Sequence, residues 1–79
     1  MELRIVSAEK SQIFSIAWVE ANTPVGNFVI QDGHAPMVLA LSPGKQLVFQ
    51  LKSGKKESLT VENGMLEVHR TSATVLLRS

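Results

Sequence analysis

Seventy-nine residues with a net charge of +1, no cysteine and 44% apolar side chains leave room for one domain, residues 1–79, built on one core. A charge balance this even argues against a dedicated nucleic-acid binder, which needs a basic excess to neutralise phosphates. The absence of cysteine excludes disulfides, thiolate metal sites and a thiol nucleophile, and it is compatible with a reducing compartment.

The opening residues, Met1-Glu2-Leu3-Arg4, enter an alternating pattern directly, with Leu3 and Ile5 on one side. No leader for secretion is expected there. No apolar run approaches the ~20 residues of a spanning helix. Ser7–Ser11 is polar and turn-like. Ile13–Ala21 is rich in β-branched and aromatic residues, which favours a strand. A helix over Glu9–Ala21 is the competing reading, weakened by Ile16, Trp18 and the lack of a glycine cap. Asn22–Asn27 reads as a loop cluster and Phe28–Ile30 as a short strand.

Gln31-Asp32-Gly33-His34-Ala35-Pro36 packs turn chemistry tightly. Gly33 permits positive φ, and Pro36 pushes Ala35 out of the helical region. His34 and Ala35 are therefore expected on a displayed corner. Met37–Leu41 is too short for a helix and reads as a buried strand. Ser42-Pro43-Gly44 then turns the chain, with proline and glycine at the two central positions. Lys45–Leu51 alternates, placing Leu47, Phe49 and Leu51 on one face. Lys52–Lys56 is a hairpin tip, and Leu59–Val61 continues as strand. Asn63-Gly64 is the strongest two-residue hairpin signal in the chain. Met65–His69 and Ala73–Leu77 follow as strands around a turn at Arg70–Ser72. Short strands at this spacing indicate an all-β sandwich or barrel.

Candidate chemistry is sparse. His34 and His69 are the only histidines, too few for a nitrogen-rich metal site, and Asp32 beside His34 in a turn is a weak pair. His69 and Glu67 share a strand face and read as solvated polar groups. No serine lies in a nucleophile elbow, and the five glycines are scattered singly, so no phosphate-cradling loop forms. Lys52, Lys55 and Lys56 read as a solvated tip that discourages edge pairing. Trp18 is expected half-buried in the sandwich, with a surface anchor for a partner as the sharper alternative. A rigid body presenting loops remains.

Three ordered blocks resemble the N-terminal β-sandwich domain of the F-type ATP synthase ε subunit. They are Val6-Ser7-Ala8-Glu9 with Phe14-Ser15; Pro24 through Pro36, continuing to Pro43-Gly44; and Val61 through Val68, closed by Ala73–Leu76. Gly33-His34-Ala35-Pro36 followed by Pro43-Gly44 is the most specific combination. The resemblance implies a two-sheet sandwich of about ten short strands around one core. It implies a non-catalytic rotor subunit of the central stalk, without a cofactor, that couples ion-driven rotation to ATP synthesis. Its partners would be the γ subunit and the membrane ring of c subunits. By position, Asn27, Gln31, Asp32, Gly33 and His34 would face the c-ring. Ser7, His34, Ala35, Pro36 and Met37 would face γ. Its place would be peripheral, on the cytoplasmic (or matrix or stromal) side of an energy-transducing membrane, a bacterial plasma membrane first.

The chain departs from the family pattern at several points. Asn27 stands where a carboxylate is usual, Asn63-Gly64 where two glycines are usual, and Ile16 where glycine is frequent. Gln31-Asp32 replaces a more apolar pair. The sequence stops at Ser79, before the family's C-terminal helical hairpin, as a shortened form, a fragment or a stand-alone paralogue would. Two alternatives stand beside the ε reading. One is a diverged ε-like interaction domain of another ATPase or scaffold assembly. The other is a small enzyme or ligand-binding barrel using Asp32, His34 and Glu67.

Overall fold

The computed structural model describes residues 1–78 and contains eight strands, with no helix among the described residues. In chain order they are β1 (Glu2–Val6), β2 (Ser11–Thr23), β3 (Gly26–Gln31), β4 (Met37–Ala40), β5 (Lys45–Leu51), β6 (Lys56–Val61), β7 (Gly64–Val68) and β8 (Ser72–Leu77). The resemblance implied about ten; the all-β sandwich itself holds, in two layers.

β2 organises the layers. Its 13 residues would extend about 40 Å if straight, while the molecule is 28 Å across its longest axis, so the strand has to bend. The bend is visible in the register. Ile16 lies opposite Leu51 and Trp18 opposite Gln50, which leaves Ala17 as one extra residue, a β-bulge. The bulge shifts the inward-facing parity. Before it the inward residues are Phe14 and Ile16; after it they are Val19, Ala21 and Thr23. The Ser11–Ser15 half pairs with β1, and the half beyond the bulge pairs with β3 and β5.

One strand thus belongs to both layers. The first sheet runs β4-β7-β8-β1-β2 and the second β3-β2-β5-β6. All pairings are antiparallel except β1 with β8. Leu3, Ile5, Leu39, Leu66, Val68 and Val75 face inward from the first sheet. Ile16, Val19, Ile30, Leu47, Phe49 and Val61 meet them from the second. Each full burial of a large apolar side chain contributes about 1.5–3 kcal/mol, and it is this double layer that holds the turns in place.

Both Pro43-Gly44 and Gly33 behave as their chemistry demands. Gly44 has φ +76° in a turn closed by Lys45 N–H donating to Ser42 O at 3.4 Å, and Gly33 has φ +84°. Four expectations need correction. Asn63-Gly64 does not turn a hairpin, because β6 and β7 lie in different sheets. Neither residue has positive φ. Gly64 is small because it packs closely: a Cβ there would sit 3.0 Å from the Leu76 carbonyl oxygen and 3.1 Å from Val61 Cγ1. Asn22–Asn27 is not an open loop. Strand pairing continues to Thr23 and Gly26, leaving only Pro24-Val25 at the tip, and the Thr23 hydroxyl donates to Gly26 O at 2.8 Å. The 37–41 run is not buried on both faces. β4 is an edge strand, with Leu39 inside and Val38 exposed. Trp18 points away from the interior. It is half-buried on the outer side of the second sheet, where its Nε1–H donates to Gln50 Oε1 at 2.8 Å and Lys56 Nζ lies 5.7 Å from the ring centroid.

Candidate functional site

β3 and β4 belong to different sheets, so residues 32–36 have to cross from one layer to the other. Asp32 and Gly33 make the crossing as a turn: His34 N–H donates to Gln31 O at 3.2 Å. Gly33 N–H donates to Arg70 O at 2.6 Å, which ties the corner to the β7–β8 turn. That turn is closed in its own right by His69 N–H donating to Ser72 O at 2.8 Å. The Gln31–His34 part of the corner is therefore held in shape by main-chain bonds.

On this frame His34 is half-buried, and Asp32, Ala35 and Pro36 are exposed. His34 Nδ1 lies 3.0 Å from its neighbour's carbonyl, Ala35 O. A carbonyl oxygen only accepts, so Nδ1 is the donor in this contact and Nε2 is left for a partner. Asp32 borders a shallow depression shared with Met1, Ser15 and Thr71. Met37 leaves the corner and packs against the core. Gln31 to Pro36 therefore form the displayed part of the corner, with His34 half-buried and Met37 turning inward.

Two of the expected contact residues lie elsewhere. Asn27 is four residues back along β3, about 13 Å from Gln31, where its Nδ2–H donates to Asn22 Oδ1 at 3.1 Å. Ser7 lies past the far end of β1. Glu2 pairs with Ser72 at the corner end and Val6 with Leu76 at the other, so a strand of about 16 Å separates Ser7 from the corner turn. There the Ser7 hydroxyl donates to Lys10 O at 3.2 Å and accepts from Lys10 N–H at 3.3 Å. Glu67 is not joined to Asp32 and His34. Its carboxylate meets His69 Nε2 at 2.8 Å on the exposed surface. Among the described residues no three His, Asp or Glu side chains converge as metal ligands would.

One feature of this side escaped sequence reasoning. Between Glu20 and Lys45 the chain carries Asp32 as its single formal charge. Along the same stretch Val25, Val38 and Val29 are 83%, 59% and 52% exposed. Val29 lies across the sheet from Glu20 and Val38 from Glu67, so each of these two valines has a carboxylate beside it on the paired strand. Strict alternation within Asn27–Gln31 was the available signal, since it puts Val29 opposite in facing to Phe28 and Ile30.

A family described as "ATP synthase, Delta/Epsilon chain, beta-sandwich domain" matches residues 1–79. The chain belongs to this family. The chain is 40% identical over 76 residues to the ATP synthase epsilon chain of Legionella pneumophila (strain Corby), covering 94% of this chain and 53% of that one. Its identity with the epsilon chain of Psychrobacter arcticus is 36% over 78 residues, covering 96% and 55%. The chain thus spans about half the length of the curated relatives it matches. Among solved structures, a chain of the Tetrahymena thermophila mitochondrial ATP synthase central stalk and c-ring superposes with a TM-score of 0.83 at 21% identity, covering 100% of this chain and 63% of that chain. A chain of the Euglena gracilis mitochondrial ATP synthase (OSCP/F1/c-ring) also gives 0.83, at 20% identity, covering 95% and 48%. At such identities the likeness is one of fold, and it is the two-layer sandwich that is shared.

Proposed function

We propose that this chain serves as the sandwich portion of an ATP synthase ε subunit, a non-catalytic rotor piece of the central stalk. It would link γ to the c-ring and pass ion-driven rotation toward ATP synthesis, peripheral to the membrane on its cytoplasmic, matrix or stromal side. Family membership over residues 1–79 carries the reading. The physics suits it: a coupler needs a stiff body with separate contact surfaces, and a close-packed double layer resists shear.

In this reading Gln31, Asp32, Gly33 and His34 meet the c-ring, with Asn27 extending that contact along β3. His34, Ala35, Pro36 and Met37 meet γ, and Ser7 touches γ a strand length away. Contacts spread over about 13–16 Å suit broad, flat interfaces better than a single pocket. Val38, exposed on edge strand β4, adds an apolar side chain next to the corner that suits a protein contact. Co-purification with γ from the same organism tests the assignment. Retention of γ is the expected result, and its absence removes the reading. In reconstituted enzyme, Asp32→Ala with His34→Ala is expected to lower proton-coupled activity while the domain stays folded. Unchanged coupling would overturn the assignment of the corner to the ring.

A further inference from the structure

The sandwich is not closed all the way round. β2 leaves the first sheet at its margin, and β6 ends the second, and between them the layers part. The gap is a cleft of about 300 Å3, at the lower end of the range for small-molecule sites. Its walls are apolar: Ile5, Phe14, Phe49, Leu59 and Leu77 line it. The Phe14 and Phe49 rings stand 5.0 Å apart at 46°, a tilted pair that offers an aromatic guest both an edge and a face.

The charged residues of the cleft, one acid and one base, are unequally partnered. Glu57 and Lys10 both line it. Glu57 Oε2 already has a cation, Lys55 Nζ, at 3.3 Å. Lys10 has no carboxylate within 4.0 Å among the described residues. Ser7 is spent on the Lys10 main chain. Gln12 and Ser58 complete the lining with side chains that have no hydrogen-bond partner among the described residues. The cleft thus combines an apolar interior with a carboxylate already in an ion pair, an exposed lysine that has no ion-pair partner among the described residues, and two neutral polar groups.

We propose that this cleft binds a small aromatic monoanion, its ring body against Phe14, Phe49 and Leu59 and its acid group at Lys10. The site is separate from the Gln31–Met37 corner and does not rest on the stalk reading. Two fluorescent probes with the same aromatic body test it: anilinonaphthalene sulfonate, which carries the anion, and phenylnaphthylamine, which lacks it. Each is titrated into the 79-residue chain while methyl and amide NMR shifts are followed. The expected result is saturable binding of one equivalent, with shifts at Ile5, Leu59 and Leu77. Lys10→Gln then lowers affinity for the sulfonate about tenfold, as loss of one charge-assisted hydrogen bond does, and leaves the neutral probe unchanged. Non-saturable binding overturns the proposal. So does equal weakening of both probes by Lys10→Gln, or shifts centred on Val38, Met65 and Leu76 on the outside of the first sheet.

Discussion

The sheets leave three edge strands, β3, β4 and β6, and the last two are finished in opposite ways. β6 begins with Lys56 and Glu57, and the tip before it carries Lys52 and Lys55. Lys55 pairs with Glu57, and Lys56 lies over Trp18. Such charges keep a stray strand from adding to the edge. β4 has no charge in its four residues and leaves Val38 exposed, with only Pro36 before it and Pro43 after it. The same sandwich therefore has one edge sealed by charge and another left apolar. An edge left bare is a hazard in a free protein and an asset in one that is held by partners.

The contrast can be broken from the inside first. Leu39→Ala should cost about 2–4 kcal/mol, because Leu39 is buried opposite Leu66, whereas Leu59→Ala on half-buried β6 should cost roughly half as much. Urea unfolding of both variants reads the difference. At the crossing that carries the chain from β6 to the sheet of β4, Gly64→Val should cost about 2 kcal/mol by overpacking against the Leu76 carbonyl and Val61. Gly33→Ala has open space around its Cβ and should lose only about 1 kcal/mol, from positive φ. Thermal melts in parallel rank the two. Val38→Lys gives β4 the finish that β6 has. Its stability should change by under about 0.5 kcal/mol, while binding to γ in a co-purification or titration falls about tenfold or more. Thr60→Lys on β6 should leave binding as it was. The smallest effect belongs to Lys55→Ala: an exposed ion pair contributes about 0.5 kcal/mol or less, and added salt should erase it.

Much of this architecture could be read from local chemistry, because local chemistry decides it. Leu47 and Phe49 face inward as their alternation requires, and Pro43-Gly44 turns as a proline–glycine pair must. The displayed His34–Pro36 corner followed from the backbone limits of Gly33 and Pro36. Asn63-Gly64 misled because turn propensity is local, whereas β7 pairs with β4 and β8 rather than with β6. The short apolar run at Met37–Ala40 cannot by itself distinguish a central strand from an edge; the missing neighbour is a fact of topology. The separation of Ser7 and Asn27 from the corner has the same origin. The family resemblance put them among the contact residues, and strand length sets them apart from the corner.

The extra residue at Ala17 has a mechanical meaning. Because the backbone passes unbroken from one layer to the other at that point, the two layers are not plates resting on each other through greasy contacts. Force applied to one layer can reach the other along covalent bonds, and neither can peel away without first straightening the bend. A part whose work is to carry twist gains from such a splice. Amide protection should accordingly be lost from Phe14 and Val19 together, as one event rather than two.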